Sequence, residues 1–214
     1  MTAFRNTGFP LYARSRSLPL CAAVLLAAAV LVLWRTGRTD GAGRSWDPGF
    51  GVPMTAVGPL IAAIAIGTTL YVYADELDRT AARAWWPRRL AHLLALAVCA
   101  AAVLALATAA AGVPDTPGGP AAFEPGAPAM VRNTLGAAGL AAIGAVVLGA
   151  RLSWLPPLMY PAMALPQGHQ DGRVAALARM AQPDGRWGAW VTAGLLLTAG
   201  AALYAWRGAR RPGR

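Results

Sequence analysis

The sequence predicts an all-α, polytopic integral membrane protein with six transmembrane helices, forming one domain over residues 1–214. Three observations predict it. The chain is 57% hydrophobic and only 13% charged, against about 25% charged in an average soluble domain. Its Asp, Glu and Arg residues lie between long apolar intervals and rarely inside them. Those intervals number six, and most approach the roughly 20 apolar residues that a helix needs to cross a bilayer.

In chain order, residues 1–17 form an amphipathic lead-in, "FRNTGFPLYARSRS", and the first span follows at 18–34. Arg14 and Arg16 before an apolar run resemble the start of a secretory signal. The run continues through "VLVLW" past Ala27–Ala29, so a retained anchor is expected. Spans at 53–74, 90–112 and 132–150 come next, then a proline-interrupted stretch at 152–166 and a last span at 187–206. Pro156, Pro157, Pro161 and Pro166 each remove a backbone donor that hydrocarbon cannot replace. Residues 152–166 therefore read as a kinked or short span, or as a re-entrant element. An outer loop or helix is expected over 167–186.

Counting all six places both termini on one side, and the arginines identify that side. All nineteen basic residues are arginine. Twelve fall with the termini: Arg5, Arg14, Arg16, Arg79, Arg83, Arg88, Arg89, Arg151, Arg207, Arg210, Arg211 and Arg214. Seven fall opposite: Arg35, Arg38, Arg44, Arg132, Arg173, Arg179 and Arg186. Cytoplasmic loops carry the excess of positive charge, so both termini are expected in the cytoplasm. Arg132, near one end of its span, is expected to reach water by snorkelling.

Residues 75–89 then form the first large cytoplasmic loop, with seven charges from Asp75 to Arg89. Wound as a helix, 75–86 gathers Leu77, Ala81, Ala84 and Trp85 on one stripe, with Asp75, Glu76, Asp78, Arg79 and Arg83 around the rest. Asp75 and Glu76 stand four and three residues before Arg79, spacings worth about 0.2–0.5 kcal/mol each. The segment reads as a short surface helix ended near Pro87, with Trp85 and Trp86 at headgroup depth. Arginines alone would suffice as topology anchors. The three acids suit docking into a soluble partner, with Asp75, Glu76, Asp78, Arg79, Arg83, Trp85 and Trp86 as candidate contacts.

This layout resembles the membrane subunit of a bacterial ATP-binding-cassette (ABC) exporter of the type-2 drug and polysaccharide permease class. An amphipathic lead-in precedes six spans, "DELDRTAARAWWP" follows span two, and "RVAALARMA" at 173–181 precedes the last span. The stretch "VRNTLGAAGLAAIGAVVLGARLSWLPPL" is similar to permeases of GC-rich actinobacteria. The resemblance implies that 75–89 is the coupling helix meeting a cytoplasmic ABC ATPase, that a second permease copy or paralogue completes the path, and that a hydrophobic or amphiphilic cargo leaves the cytoplasm. It implies no cofactor on this chain, with ATP and Mg held by the ATPase. The family's Gly and Leu-Leu of the coupling loop are missing here.

No phosphate-cradling G-x-x-x-x-G-K-[ST] loop is present, and the chain has no lysine. An intramembrane enzyme is disfavoured: His92 and His169 stand alone, and neither H-E-x-x-H nor G-x-S-x-G occurs. Cys21 and Cys99 read as small packing residues. The net charge of +10 comes from arginines that punctuate apolar runs, so no nucleic-acid partner is expected. For contacts within the bilayer, the sequence offers Ala137, Ala141, Ala145 and Gly149 on span four, and Gly194, Thr198 and Ala202 on span six. The alternative to a permease is a non-transporting immunity or assembly subunit that binds its partner through 75–89.

Overall fold

A computed structural model describes residues 17–36, 54–70, 86–112, 126–164 and 186–209, with the backbone alone at 35, 36, 54, 55, 160–164 and 186. These residues are all-α: α1 Leu18–Thr36, α2 Met54–Thr69, α3 Trp86–Ala110, α4 Ala127–Val147, α5 Leu155–Ala164 and α6 Arg186–Arg207, with a 3₁₀ turn at Ala150–Leu152 before α5. Three helices are long and apolar enough to cross a membrane: Trp86–Ala110, Ala127–Val147 and Trp187–Arg207. The other three predicted intervals hold shorter helices. Apolar Leu18–Trp34 and Ala56–Thr69 fall below that length, and the 10-residue α5 covers about 15 Å at 1.5 Å per residue.

Local chemistry sets several of these boundaries. Pro128 lies in the first turn of α4, where no intrahelical donor is needed, and the Met130 N–H donates to the Gly126 carbonyl to open the helix. Gly149, at φ 93°, ends the same helix in a conformation that residues with a Cβ avoid. At the end of α2, the Thr68 and Thr69 hydroxyls donate to the Ala65 and Ile66 carbonyls at 2.8 and 2.7 Å. Such back-bonding competes with helix propagation.

The buried stripe of α1, Cys21–Leu25–Ala28–Val32, and that of α3, Leu93–Ala97–Ala100–Leu104–Ala107, both follow helical spacing. They close on Ile66 and Leu70 of α2, and on Ala138, Ala142 and Ala145 of α4. The other faces are apolar as well: Leu20, Leu26, Val30, Val98, Leu106, Val191 and Leu195 are exposed. Helices that are apolar all round suit a lipid surround. Such a surround also explains indoles exposed at the rims. Trp187 and Trp206, nineteen residues apart on α6, are 85% and 87% exposed. Along a helix that separation is about 28 Å, close to the ~30 Å of a bilayer's hydrocarbon.

Interhelical contacts fix the directions. A Cβ on Gly136 would stand 3.6 Å from Ala193, and one on Gly139 would stand 2.6 Å from the Leu197 nitrogen, so α4 and α6 run parallel. Gly58 of α2 faces Met130 of α4, while Gly67 faces Ser153 beyond the α4 end, so α2 is parallel to them too. Val32, late in α1, packs beside Gly58, early in α2, and α1 runs antiparallel to it. His92 of α3 meets Thr69, so α3 is also antiparallel to α2. One end of the bundle, the near end, thus gathers Leu70, Trp86, Val147, Tyr204 and both the first and last described residues.

Candidate functional site

The near end holds the two bases of the charged segment. Leu70 closes α2 and Trp86 opens α3, with 71–85 between them outside the described residues. Of the candidate docking contacts, Asp75, Glu76, Asp78, Arg79, Arg83 and Trp85 lie in that interval. Trp86 is described: it starts α3 and is 55% exposed. Pro87, expected to end the preceding helix, occupies the first turn of α3, where its missing N–H leaves no bond unmade.

The α2 base is tied into the core twice. Tyr204 of α6 is buried to 1% exposure, and its hydroxyl donates to the Leu70 carbonyl at 3.1 Å. A hydrogen bond of this kind stabilises by about 0.5–1.5 kcal/mol. One turn away, His92 Nε2 lies 3.3 Å from Thr69 Oγ1. The Thr69 hydroxyl is also within reach of the Ile66 carbonyl, at 2.7 Å, so it joins His92 to the last turn of α2. His92 is buried, on the same stripe of α3 as Leu93 and Leu96.

A third tie joins α3 to α6. Gly208, at φ 70°, donates its N–H to the Tyr204 carbonyl at 2.9 Å and terminates α6. The Arg89 guanidinium lies over it, with Nη1 2.8 Å from where a Cβ would stand. Residue 70, the first turn of α3 and the end of α6 therefore form one polar neck beneath the charged segment.

The helix-packing residues distribute differently from the predicted ladder. Ala141 and Ala145 are fully buried, and Ala137 is half-buried. Gly149 is buried but lies past the end of α4. Gly139 and Gly200 meet backbone to backbone: a Cβ on Gly139 would collide with the Leu196 carbonyl, and one on Gly200 with the Gly139 carbonyl. The signal for this contact was glycine itself. Inside a helix glycine costs about 1 kcal/mol relative to alanine, so in an alanine-rich chain it marks places where even a methyl does not fit. On α6, Gly194, Thr198 and Ala202 all face outward, with open space over Gly194.

Arg132 departs from expectation. It is 6% exposed, and its Nε donates to Asn133 Oδ1 at 3.3 Å. Because α4 begins at Ala127, Arg132 lies more than a turn inside the helix and faces the bundle, not the rim. Cys21 is buried and Cys99 exposed, both as free thiols. His169 and residues 173–181 lie outside the described residues. Among the described residues no three His, Cys, Asp or Glu side chains cluster as metal ligands. No family model, curated protein or solved structure matches the chain.

Proposed function

We propose that the chain is the membrane permease subunit of an ABC exporter, with 75–89 as the coupling element that a cytoplasmic ATPase grips. The observation that carries this reading is the neck: the α2 base of the charged segment is hydrogen-bonded twice into the bundle, at Leu70 by Tyr204 of α6 and at Thr69 by His92 of α3. A force applied to 71–85 would reach three helices directly. A solvated loop serving only as a connector needs no such anchorage.

Chain direction supports six crossings. The parallel run of α4 and α6 requires the chain between Val147 and Arg186 to return from the near end to the far end. Arg88, Arg89, Arg151 and Arg207 all belong to the near end, which favours that end as cytoplasmic. The exposed apolar surface accommodates lipid and a second permease copy, and the cargo would be hydrophobic or amphiphilic.

The test is association and activity. Affinity-purified full-length protein from its native membranes should carry a Walker-motif ATPase. Replacing Asp75, Glu76 and Arg79 together should abolish stimulation of that ATPase while the bundle stays folded. Association with unaltered ATP hydrolysis would assign a non-transporting subunit, and absence of any ATPase would overturn the proposal. A cysteine placed at Thr80 should react with an impermeant maleimide only after cells are permeabilised.

A further inference from the structure

We infer that the turn between α4 and α5 is a mechanical relay, which ties the position of α5 to that of the last turn of α2, the base of the charged segment. Its use in coupling rests on the permease reading. The relay itself rests on the bundle alone.

The link can be followed atom by atom. The Tyr204 hydroxyl donates to the Leu70 carbonyl, and the Leu70 N–H donates to the Gly67 carbonyl at 3.2 Å. Gly67 is the floor of a seat: a Cβ there would collide with Ser153 Oγ, so the hydroxyl lies against the α2 backbone itself. Ser153 is buried to 2% exposure. Its Oγ donates to the Ala150 carbonyl at 2.8 Å, which holds the hydroxyl to its own turn. The same turn meets α4, where a Cβ on Gly144 would stand 3.0 Å from the Ser153 carbonyl oxygen and 3.0 Å from Pro156. Two glycines on two helices thus pinch one turn between them.

Tightness makes this contact a relay. No side chain of α2 stands between the hydroxyl and the backbone to rotate and absorb a shift, and close-packed contacts transmit displacement. Movement of the end of α2 towards α4 pushes the turn, and movement away empties the seat. α5 begins two residues after Ser153, at Leu155, and the Leu158 N–H donates to the Trp154 carbonyl at 3.1 Å, so the helix starts directly from the turn. It packs against α4 and α2. A helix of 10 residues is marginal on its own, and Pro161 removes one backbone donor from this one. α5 therefore keeps its form through what it packs against, and its amides report whether the seat is filled.

The experiment is hydrogen exchange read by mass spectrometry on the full-length protein in detergent, with no ATPase present. Tyr204→Phe releases the Leu70 carbonyl. It should raise exchange about fivefold, the effect of one hydrogen bond, both at 68–70 and in α5, while α1 stays unchanged. In a Ser153→Gly background, Tyr204→Phe should still act at 68–70 but no longer in α5. Gly67→Ala drives Ser153 off its seat directly and should raise exchange in α5, and Gly67→Ala/Ser153→Gly should exchange there no faster than Ser153→Gly alone. Equal rises in α5 and α1 would mean general softening and would overturn the relay. So would an α5 unmoved while 68–70 respond to Tyr204→Phe, an α5 unmoved by Gly67→Ala, or a response to Tyr204→Phe that survives Ser153→Gly. These readouts need no ATPase, so failure of the relay is separable from failure of the permease reading.

Discussion

Replacing Gly139 by alanine places a methyl against the Leu196 carbonyl and 2.6 Å from the Leu197 nitrogen. Neither neighbour can rotate away, because both are helix backbone. To restore ordinary contact, α4 and α6 must part by almost 1 Å locally. A gap of about 0.5–1 Å forfeits a quarter to a half of each dispersion contact, and overpacking of this kind costs about 1–3 kcal/mol. The change also improves helix propensity by about 1 kcal/mol, which would mask part of the loss. Gly194→Ala removes that ambiguity: it has the same chemistry, on α6, with nothing within 4 Å of the new methyl. The difference between the two variants isolates the steric term at about 2 kcal/mol. At about 2–4 °C per kcal/mol for a chain of this size, Gly139→Ala should unfold about 4–8 °C below Gly194→Ala. Cys21, 2% exposed, serves as reporter in a Cys99→Ala background: a thiol-reactive fluorophore will label it as the detergent-solubilised protein unfolds. Equal unfolding temperatures for the two variants would refute the backbone contact between α4 and α6.

Three further outcomes are expected. Tyr204→Phe keeps the ring and removes the bond to Leu70, so it should lower stability by about 1–2 kcal/mol and raise hydrogen exchange at residues flanking 71–85, measured by mass spectrometry. Gly67→Ala drives a methyl into the Ser153 hydroxyl; combined with Ser153→Gly it should regain most of its lost unfolding temperature, a coupling of about 0.5–3 kcal/mol in a double-mutant cycle. A cysteine at Arg132 should resist an impermeant maleimide, whereas one at Trp187, at the same end of the bundle and 85% exposed, should react readily.

Element existence was legible wherever apolarity was continuous. The last three long helices needed only hydropathy and length, and Arg186, Trp187 and Arg207 marked the limits of α6. Boundaries were harder. Of the second span, expected over 53–74, residues 54–70 are described and 71–74 lie outside the described residues; hydropathy carries no record of the Thr68 and Thr69 hydroxyls bonding back to the helix. Pro87 was read as a stop because proline ends helices; it also fits a first turn, and the sequence alone does not separate the two roles. The site was less legible than the fold. Tyr204 and Leu70 are 134 residues apart in the chain, and no local pattern announces a contact of that span. A single buried histidine among alanines likewise resembles an interfacial one until its partner, Thr69, is known. Arg132 was misread for the same reason: its distance from the helix start was judged from the charge-free interval, whereas α4 begins upstream at Ala127.

Interlocking of Gly139 and Gly200 bears on how this bundle could change shape. Two helices joined carbonyl against α-carbon cannot slide past each other by a turn, because any axial displacement brings a methyl-bearing position into the notch. The pair must behave as a single stiff beam, with Tyr204 at its tip pulling on Leu70. Whatever rearrangement the protein undergoes, its pivot must be sought among α1, α2 and α3.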